Sequence, residues 1–325
     1  MNGRRLMQLS LVCLAACGVV AALCAADAPA KVELKLAKGD ALQYTVTTTS
    51  ATEGTNAQGA FTRSSTTEVR YAIKIEDRKD NGDLVLAVTY ASVKIKEEGG
   101  RNAFEFDSAK PGGGAETAEL EKIVKSTVKA AVAGGKVKEV TGFPEAARTA
   151  AGRDAKGGAA EPGKRRMPVV GGFFRGMNAV GATALTRDLS YILSSPVQGV
   201  ALEKGKTYQT APVERPAADE KGKGRGGVGR MAGMNLEYTY EGQEADAARF
   251  AVVRKAPQSA RGGPAAGMGP GAGAEAKGAA LVAVKDGLLQ KLELKSATDR
   301  SSERSGQTST TKTSMTTTVV RTAAK

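Results

Sequence analysis

The chain has 325 residues with 47 Lys and Arg against 34 Asp and Glu, no His, no Trp, three Cys and only 4% aromatics. That length supports one large or two ordinary domains, with a core built mainly from Val, Leu, Ile and Ala. The lack of His removes the commonest general base and zinc ligand, and all three Cys fall at positions 13, 17 and 24, inside a segment that export would remove.

That segment is the first element in chain order. Arg4 and Arg5 precede an uncharged run from Leu6 to Ala26, followed by small residues at Cys24 and Ala26 or Ala28 and Ala30. The layout predicts a secretory signal peptide over 1–26 and an exported protein in the periplasm or at the cell surface. An uncleaved membrane anchor is the alternative, weakened by the Ala, Gly, Gln8 and Ser10 that dilute the run. Leu14-Ala15-Ala16-Cys17 also fits a bacterial lipobox, which would make Cys17 a lipid-carrying N-terminus and tether the protein to a membrane. With cleavage after Ala26 the mature chain has no thiol, so no disulfide supports the fold.

From residue 31 the pattern is alternation. "KVELKLAKGDALQYTVTTTS" (31–50) predicts a strand, a Lys38-Gly39-Asp40 turn and a second strand. "TEVRYAIKIEDRKDNGDLVLAVTYASVKIK" (67–96) predicts a hairpin around Asn81-Gly82, since Asn-Gly favours the positive φ of primed turns. "NAFEFDSAK" adds a strand through Phe104 and Phe106. Its Glu105 and Asp107 share the opposite face and are expected to be solvated rather than to bind Ca²⁺ or work as acid and base.

The period then changes. Leu120, Ile123, Val124, Thr127, Val128, Ala131 and Val132 share a helical face, with Glu residues near the start, Lys125 and Lys129 later and Gly134-Gly135 as a stop. These predict a helix over 116–133. A second helix is predicted over 184–195, with Leu185, Leu189, Ile192 and Leu193 in phase and Pro196 ending it. Strands resume at 200–213, 235–241, 247–255, 279–285, 288–298 and 307–321. "LAKGD" (36–40) and "LEKGK" (202–206) each precede a Tyr-bearing strand, a hint of two related β units, 31–142 and 173–325.

Three segments interrupt this pattern: a basic linker at 148–172 and insertions at 214–233 and 256–278, rich in Gly and Ala and carrying more than half of the basic excess. They are expected to be flexible and solvated. Because the charge falls in such loops without aromatic platforms, no nucleic-acid partner is expected; an anionic envelope polymer or anionic lipid is the partner class that suits them.

Motifs that spell chemistry fail on context. "GVALEKGKT" (199–207) has five residues between its glycines where a phosphate-binding loop needs four, and it leads into a strand. Gly224, Gly226 and Gly229 match a dinucleotide fingerprint only within a low-complexity stretch. No catalytic residue, cofactor site or metal site is expected.

"KGDALQY" (38–44), "VTYASVKI" (88–95), "FEFDSAK" (104–110), "GGKVKEVTG" (134–142), "LEKGKTYQ" (202–209), "LEYTYEG" (236–242) and "VKDGLLQKLEL" (284–294) occur in an order that resembles a family of exported bacterial β-rich proteins of unknown function. The chain departs from that pattern at Tyr208, where a Trp is expected. A looser similarity is to the bacterial lipoprotein carriers, which implies a curved antiparallel half-barrel over helices. The fold expected is α+β, mainly antiparallel, a curved sheet or half-barrel with one or two packing helices. The function expected is noncatalytic, a binding or structural role in the envelope. The alternative is a carrier of a lipid or other apolar ligand, with Leu120, Ile123, Val124, Leu189 and Ile192 lining the cavity. Ordinary helix-to-sheet packing is the competing account of those five residues, and it is the favoured one.

Overall fold

The computed structural model describes residues 31–99, 103–110, 112, 115–134, 136–144, 179–193, 199–210, 236–255, 274–304 and 307–323. The expected signal segment 1–26 with Cys17, the basic linker 148–172 and the insertion 214–233 lie outside them.

The long alternating runs become long antiparallel strands. Twelve lie among the described residues: β1 (Ala41–Asn56), β2 (Gly59–Arg78), β3 (Leu84–Glu98), β4 (Phe104–Asp107), β5 (Thr127–Ala133), β6 (Lys136–Thr141), β7 (Thr207–Gln209), β8 (Leu236–Glu244), β9 (Ala247–Arg254), β10 (Ala276–Ala283), β11 (Leu289–Arg304) and β12 (Gln307–Thr322). They form one open, curved sheet in the order β6-β5-β3-β2-β1-β12-β11-β10-β9-β8-β7, with β4 attached beside β3. The two halves of the chain thus share a single sheet, joined where β1 pairs with β12, with Val46 opposite Val319 and Thr49 opposite Thr316.

Alternation decides which face is covered. Leu42, Tyr44 and Val46 on β1, Val69, Tyr71, Ile73 and Ile75 on β2, and Leu292 and Leu294 on β11 point to one side and are buried in a single hydrophobic cluster. The intervening residues face water, the arrangement expected of an antiparallel sheet with one wet side. Farther along β1, β2, β11 and β12 the inward positions become Ser and Thr. Cross-strand hydroxyl pairs replace apolar contacts there, Ser50 with Ser65 at 3.1 Å and Thr52 with Thr313 at 3.2 Å, while Thr55 pairs with Thr310 at 2.8 Å on the opposite, exposed face.

The "KG" turns have the same hydrogen-bond pattern. The Gly39 N–H donates to the Ile75 carbonyl and the Ile75 N–H to Asp40, while the Gly205 N–H donates to the Tyr240 carbonyl and the Tyr240 N–H to Lys206. Both glycines have positive φ, +96° and +82°, which a side-chain-bearing residue adopts only with strain. Each turn therefore pins the end of a neighbouring strand.

Two helices are described: α1 (Ala115–Val124) and α2 (Ala182–Leu193). The expected helix over 116–133 stops at Val124, and 127–133 is strand β5, with Val128, Ala130 and Val132 buried on alternate positions. The Ser126 hydroxyl donates to the Ile123 carbonyl at 2.7 Å, occupying the group that would continue the helix. Val128 and Val132 satisfy both periods; pairing of β5 with β3 and β6 supplies the contacts that choose the strand. The second helix begins two residues before the expected 184–195, whose last two positions lie outside the described residues.

Other boundaries also move. Residues 31–36 form no strand beyond a bridge from Lys31 to Ala201, although Val32 and Leu36 are buried. Of the expected strand 200–213 only 207–209 are strand among the described residues, and 211–213 lie outside them. The Asn81-Gly82 connection is a longer loop in which Gly82 alone has positive φ. Strand β10 begins inside the segment expected to be a flexible insertion over 256–278. Gly278 is strand residue rather than loop, because a Cβ there would collide with the Glu293 carbonyl oxygen of β11.

Candidate functional site

The concave face of the sheet holds α2. Ala184, Leu185, Leu189, Tyr191, Ile192 and Leu193 of this helix are buried, and so is Asp188, which is only 1% exposed. Ala182 and Thr183 are exposed and Thr186, Arg187 and Ser190 half-buried, so the helix turns one apolar face into the core and keeps a polar face outward. It touches β6 and β11 and is tied by hydrogen bonds to β2 and β9, so it runs beneath much of the sheet's width.

Leu120 and Ile123 on α1 and Leu189 and Ile192 on α2 are fully buried members of the hydrophobic cluster, and Val124 packs against it half-buried. All five belong to the same apolar core as the inward strand residues. Their environment is side-chain packing.

Polar groups inside that core form a network absent from the sequence expectations. The Tyr71 hydroxyl donates to Asp188 Oδ2 at 2.8 Å, and Arg187 Nε donates to Asp188 Oδ1 at 2.8 Å. The Tyr90 hydroxyl donates to the Val180 carbonyl at 2.6 Å, at the entrance to α2, and the Tyr71 and Tyr90 rings lie 5.5 Å apart. Farther along the helix, Arg254 Nη1 donates to the Tyr191 hydroxyl at 3.2 Å and its Nη2 to the Ala274 carbonyl at 3.4 Å. Tyr238 Oη is buried with no hydrogen-bond partner among the described residues, as is Ser296 Oγ. A signal for this network was present: Asp188 lies in helical phase with Leu185 and Ile192, a charge placed on an apolar stripe.

Burial sets the electrostatics. Loss of hydration raises the ionisation of the Tyr44, Tyr71, Tyr90 and Tyr238 phenols well above the ordinary tyrosine range, with the Asp188 charge adding to the effect at Tyr71 and Tyr90. These phenols are therefore neutral hydrogen-bond donors near neutral pH. The Asp188 carboxylate raises the Arg187 guanidinium further, so that group is always charged. Each ionisable group in the Asp188 cluster is engaged by a neighbour.

The other sequence candidates do not assemble. Glu105 is exposed opposite Lys96 on β3, and Asp107 accepts the Ala109 N–H and lies 3.9 Å from Lys110. Among the described residues no three His, Cys, Asp or Glu side chains gather in a way that could hold a metal ion. Lys206 and Thr207 of the "GKT" stretch enter strand β7, and Gly224, Gly226 and Gly229 lie outside the described residues. Among the described residues no helix is long and apolar enough to cross a membrane.

One cleft lies away from this interior, at the end of the sheet where β1, β12, β11 and β10 meet. It encloses ≈ 490 Å³, and Gln43, Leu281, Lys285, Gln290, Lys291 and Arg321 are among the residues that line it. Sequence reading missed it because its residues come from four strands and one turn.

No family model and no curated protein matches the chain. Among solved structures it is similar to one of lipovitellin, concerned with lipid–protein interactions in that protein. The match has a TM-score of 0.46 and 11% identity, and covers 89% of this chain and 26% of lipovitellin's. The chain thus spans about a quarter of the length of that protein.

Proposed function

We propose that this is an exported, noncatalytic envelope protein with a binding or structural role. The observation that carries the reading is the filled concave face: α2 occupies the space that a carrier of this shape would need for its cargo, and the hydroxyl, carboxylate and guanidinium groups around Asp188 are spent on one another. A nucleophile or general base needs a group that can change protonation state or reach a substrate; Tyr71 is held neutral and Arg187 charged, and Asp188 is buried between them. The export reading is supported by Arg4, Arg5 and the uncharged run to Ala26. An anionic envelope polymer or lipid is the partner class supported by the basic composition of 148–172 and 214–233; nucleic acid is not.

A second reading, a carrier of a lipid or other apolar ligand, is favoured by one observation. Tyr238 Oη and Ser296 Oγ are buried without partners among the described residues, and such groups suit the polar end of an amphiphile. Titration with the fluorescent fatty acid cis-parinaric acid separates the two. The filled interior predicts no saturable uptake by the intact protein. Stoichiometric uptake that is lost in Leu189→Lys and weakened in Tyr238→Phe would establish the carrier instead.

A further inference from the structure

We infer that the cleft between β1, β12, β11 and β10 is a binding site for an oxyanion, a phosphate or carboxylate group carried on a small ligand or head group. This goes beyond the reading above and does not depend on it, because the cleft is separate from the α2 interior.

The local cause is a β-bulge. Leu281 pairs with Lys291 and Val282 with Leu289, so Gln290 is the extra residue on β11. In a regular strand Gln290 and Lys291 would point to opposite faces. Here Leu289 and Leu292 are both buried, at 5% and 0% exposure, and Gln290 and Lys291 between them both face the cleft. Bulges re-aim side chains in this way, and they recur beside binding sites. The Tyr44 hydroxyl donates to the Leu289 carbonyl at 2.9 Å, and this bond braces the bulge from the core side.

The charge in the cleft has one sign. Lys285, Lys291 and Arg321 line it, and no Asp or Glu does. Arg321 is held in place by Asp286, whose Oδ2 accepts from Nη1 at 2.7 Å while its Oδ1 accepts the Leu288 N–H at 3.0 Å. That contact uses one of the five guanidinium donors. Lys291 has only a loose contact with Glu293, at 3.9 Å, since that carboxylate pairs with Lys295 at 2.9 Å. Among the described residues Lys285 has no ion-pair partner, and the Gln43 and Gln290 carboxamides make no side-chain hydrogen bond. Two ammonium groups, a fixed guanidinium and two idle carboxamides match the acceptor oxygens of a phosphate or carboxylate. Leu281 offers an apolar wall to whatever carries the anion, and the volume lies in the range of small-molecule sites.

The test is a ¹⁵N NMR titration of the full mature chain with inorganic phosphate, alongside flotation with vesicles of phosphatidylglycerol in phosphatidylcholine. The site predicts saturable phosphate shifts centred on 285, 290, 291 and 321, weakening as salt rises. Lys285→Gln with Lys291→Gln should lower affinity at least about tenfold, two charge-assisted bonds being lost. Lys277→Gln with Lys312→Gln, a control of equal charge whose partners Glu275 and Asp299 touch no cleft residue, should leave it unchanged. Phosphate binding without flotation identifies a soluble anion. Flotation that the cleft pair abolishes and the control pair preserves identifies a lipid head group. Shifts scattered over the surface, or binding equally sensitive to both pairs, would overturn the site.

Discussion

At the residue scale the tyrosines divide into those whose hydroxyls are used and one whose hydroxyl is not. The Tyr71 hydroxyl serves a buried carboxylate, and a hydrogen bond to a charged group is worth about 2 kcal/mol. Tyr71→Phe should therefore cost about that much in urea unfolding. Tyr238→Phe removes a buried hydroxyl without a partner among the described residues and should stabilise the fold, by about 1 kcal/mol. Equal losses for the two variants would show that the hydroxyl positions are wrong. Alkaline stability follows from the same burial. The folded state holds the protons of Tyr44, Tyr71, Tyr90 and Tyr238 after the unfolded chain has begun to lose them near pH 10, the ordinary tyrosine range. Their stabilising effect is thus complete below pH 10 and is lost as pH rises above it, by about 1.4 kcal/mol per pH unit for each phenol. Unfolding followed from pH 9 to pH 11.5 should show this decline, and Tyr44→Phe should make it shallower.

At the element scale the sharpest question is where α1 ends. Thr127 distinguishes the alternatives because the two periods place it on opposite sides. A helix through 133 would put it on the apolar face with Ile123 and Val124, whereas β5 leaves it exposed. Thr127→Asp should therefore change stability in urea unfolding by less than about 1 kcal/mol; a loss of more than about 3 kcal/mol, the penalty of an unpaired buried charge, would mean that the helix continues. The same residues show how much of the fold was legible. The strands with strict alternation, β2, β3, β8 and β9, were readable because a half-buried sheet imposes a period of two. Leu185, Leu189, Ile192 and Leu193 disclosed α2 within two residues. The stretch 127–133 did not declare itself, because Val128 and Val132 fit both periods and only pairing with β3 and β6 decides between them. Gly278 misled in the opposite direction, since a close backbone approach and a flexible loop both call for glycine. Of the candidate site, the five apolar residues were readable as buried and no more. The Asp188 cluster and the bulge at Gln290 depend on contacts between distant strands, which local pattern does not encode.

At the scale of the whole molecule, the chain brings its first and last strands together at the middle of one sheet. Val319 of β12, fully buried opposite Val46 of β1, belongs to the cluster that also contains Leu120 at one side and Phe250 at the other. Leu185, Leu189, Ile192 and Leu193 make α2 part of that same cluster, each contributing about 1.5–3 kcal/mol by leaving water. A lid or a displaceable plug would need a far smaller share of the core, because moving elements come from the least stable part of a structure. The most direct measurement is native-state hydrogen exchange on the chain from residue 27, comparing α2 amides from Leu185 to Leu193 with those of β1 and β12. The filled interior predicts that α2 exchanges as slowly as the central strands and only through global unfolding. Exchange of α2 through a separate, low-energy opening while β1 and β12 stay protected would contradict it, and would show an interior that opens to admit a ligand.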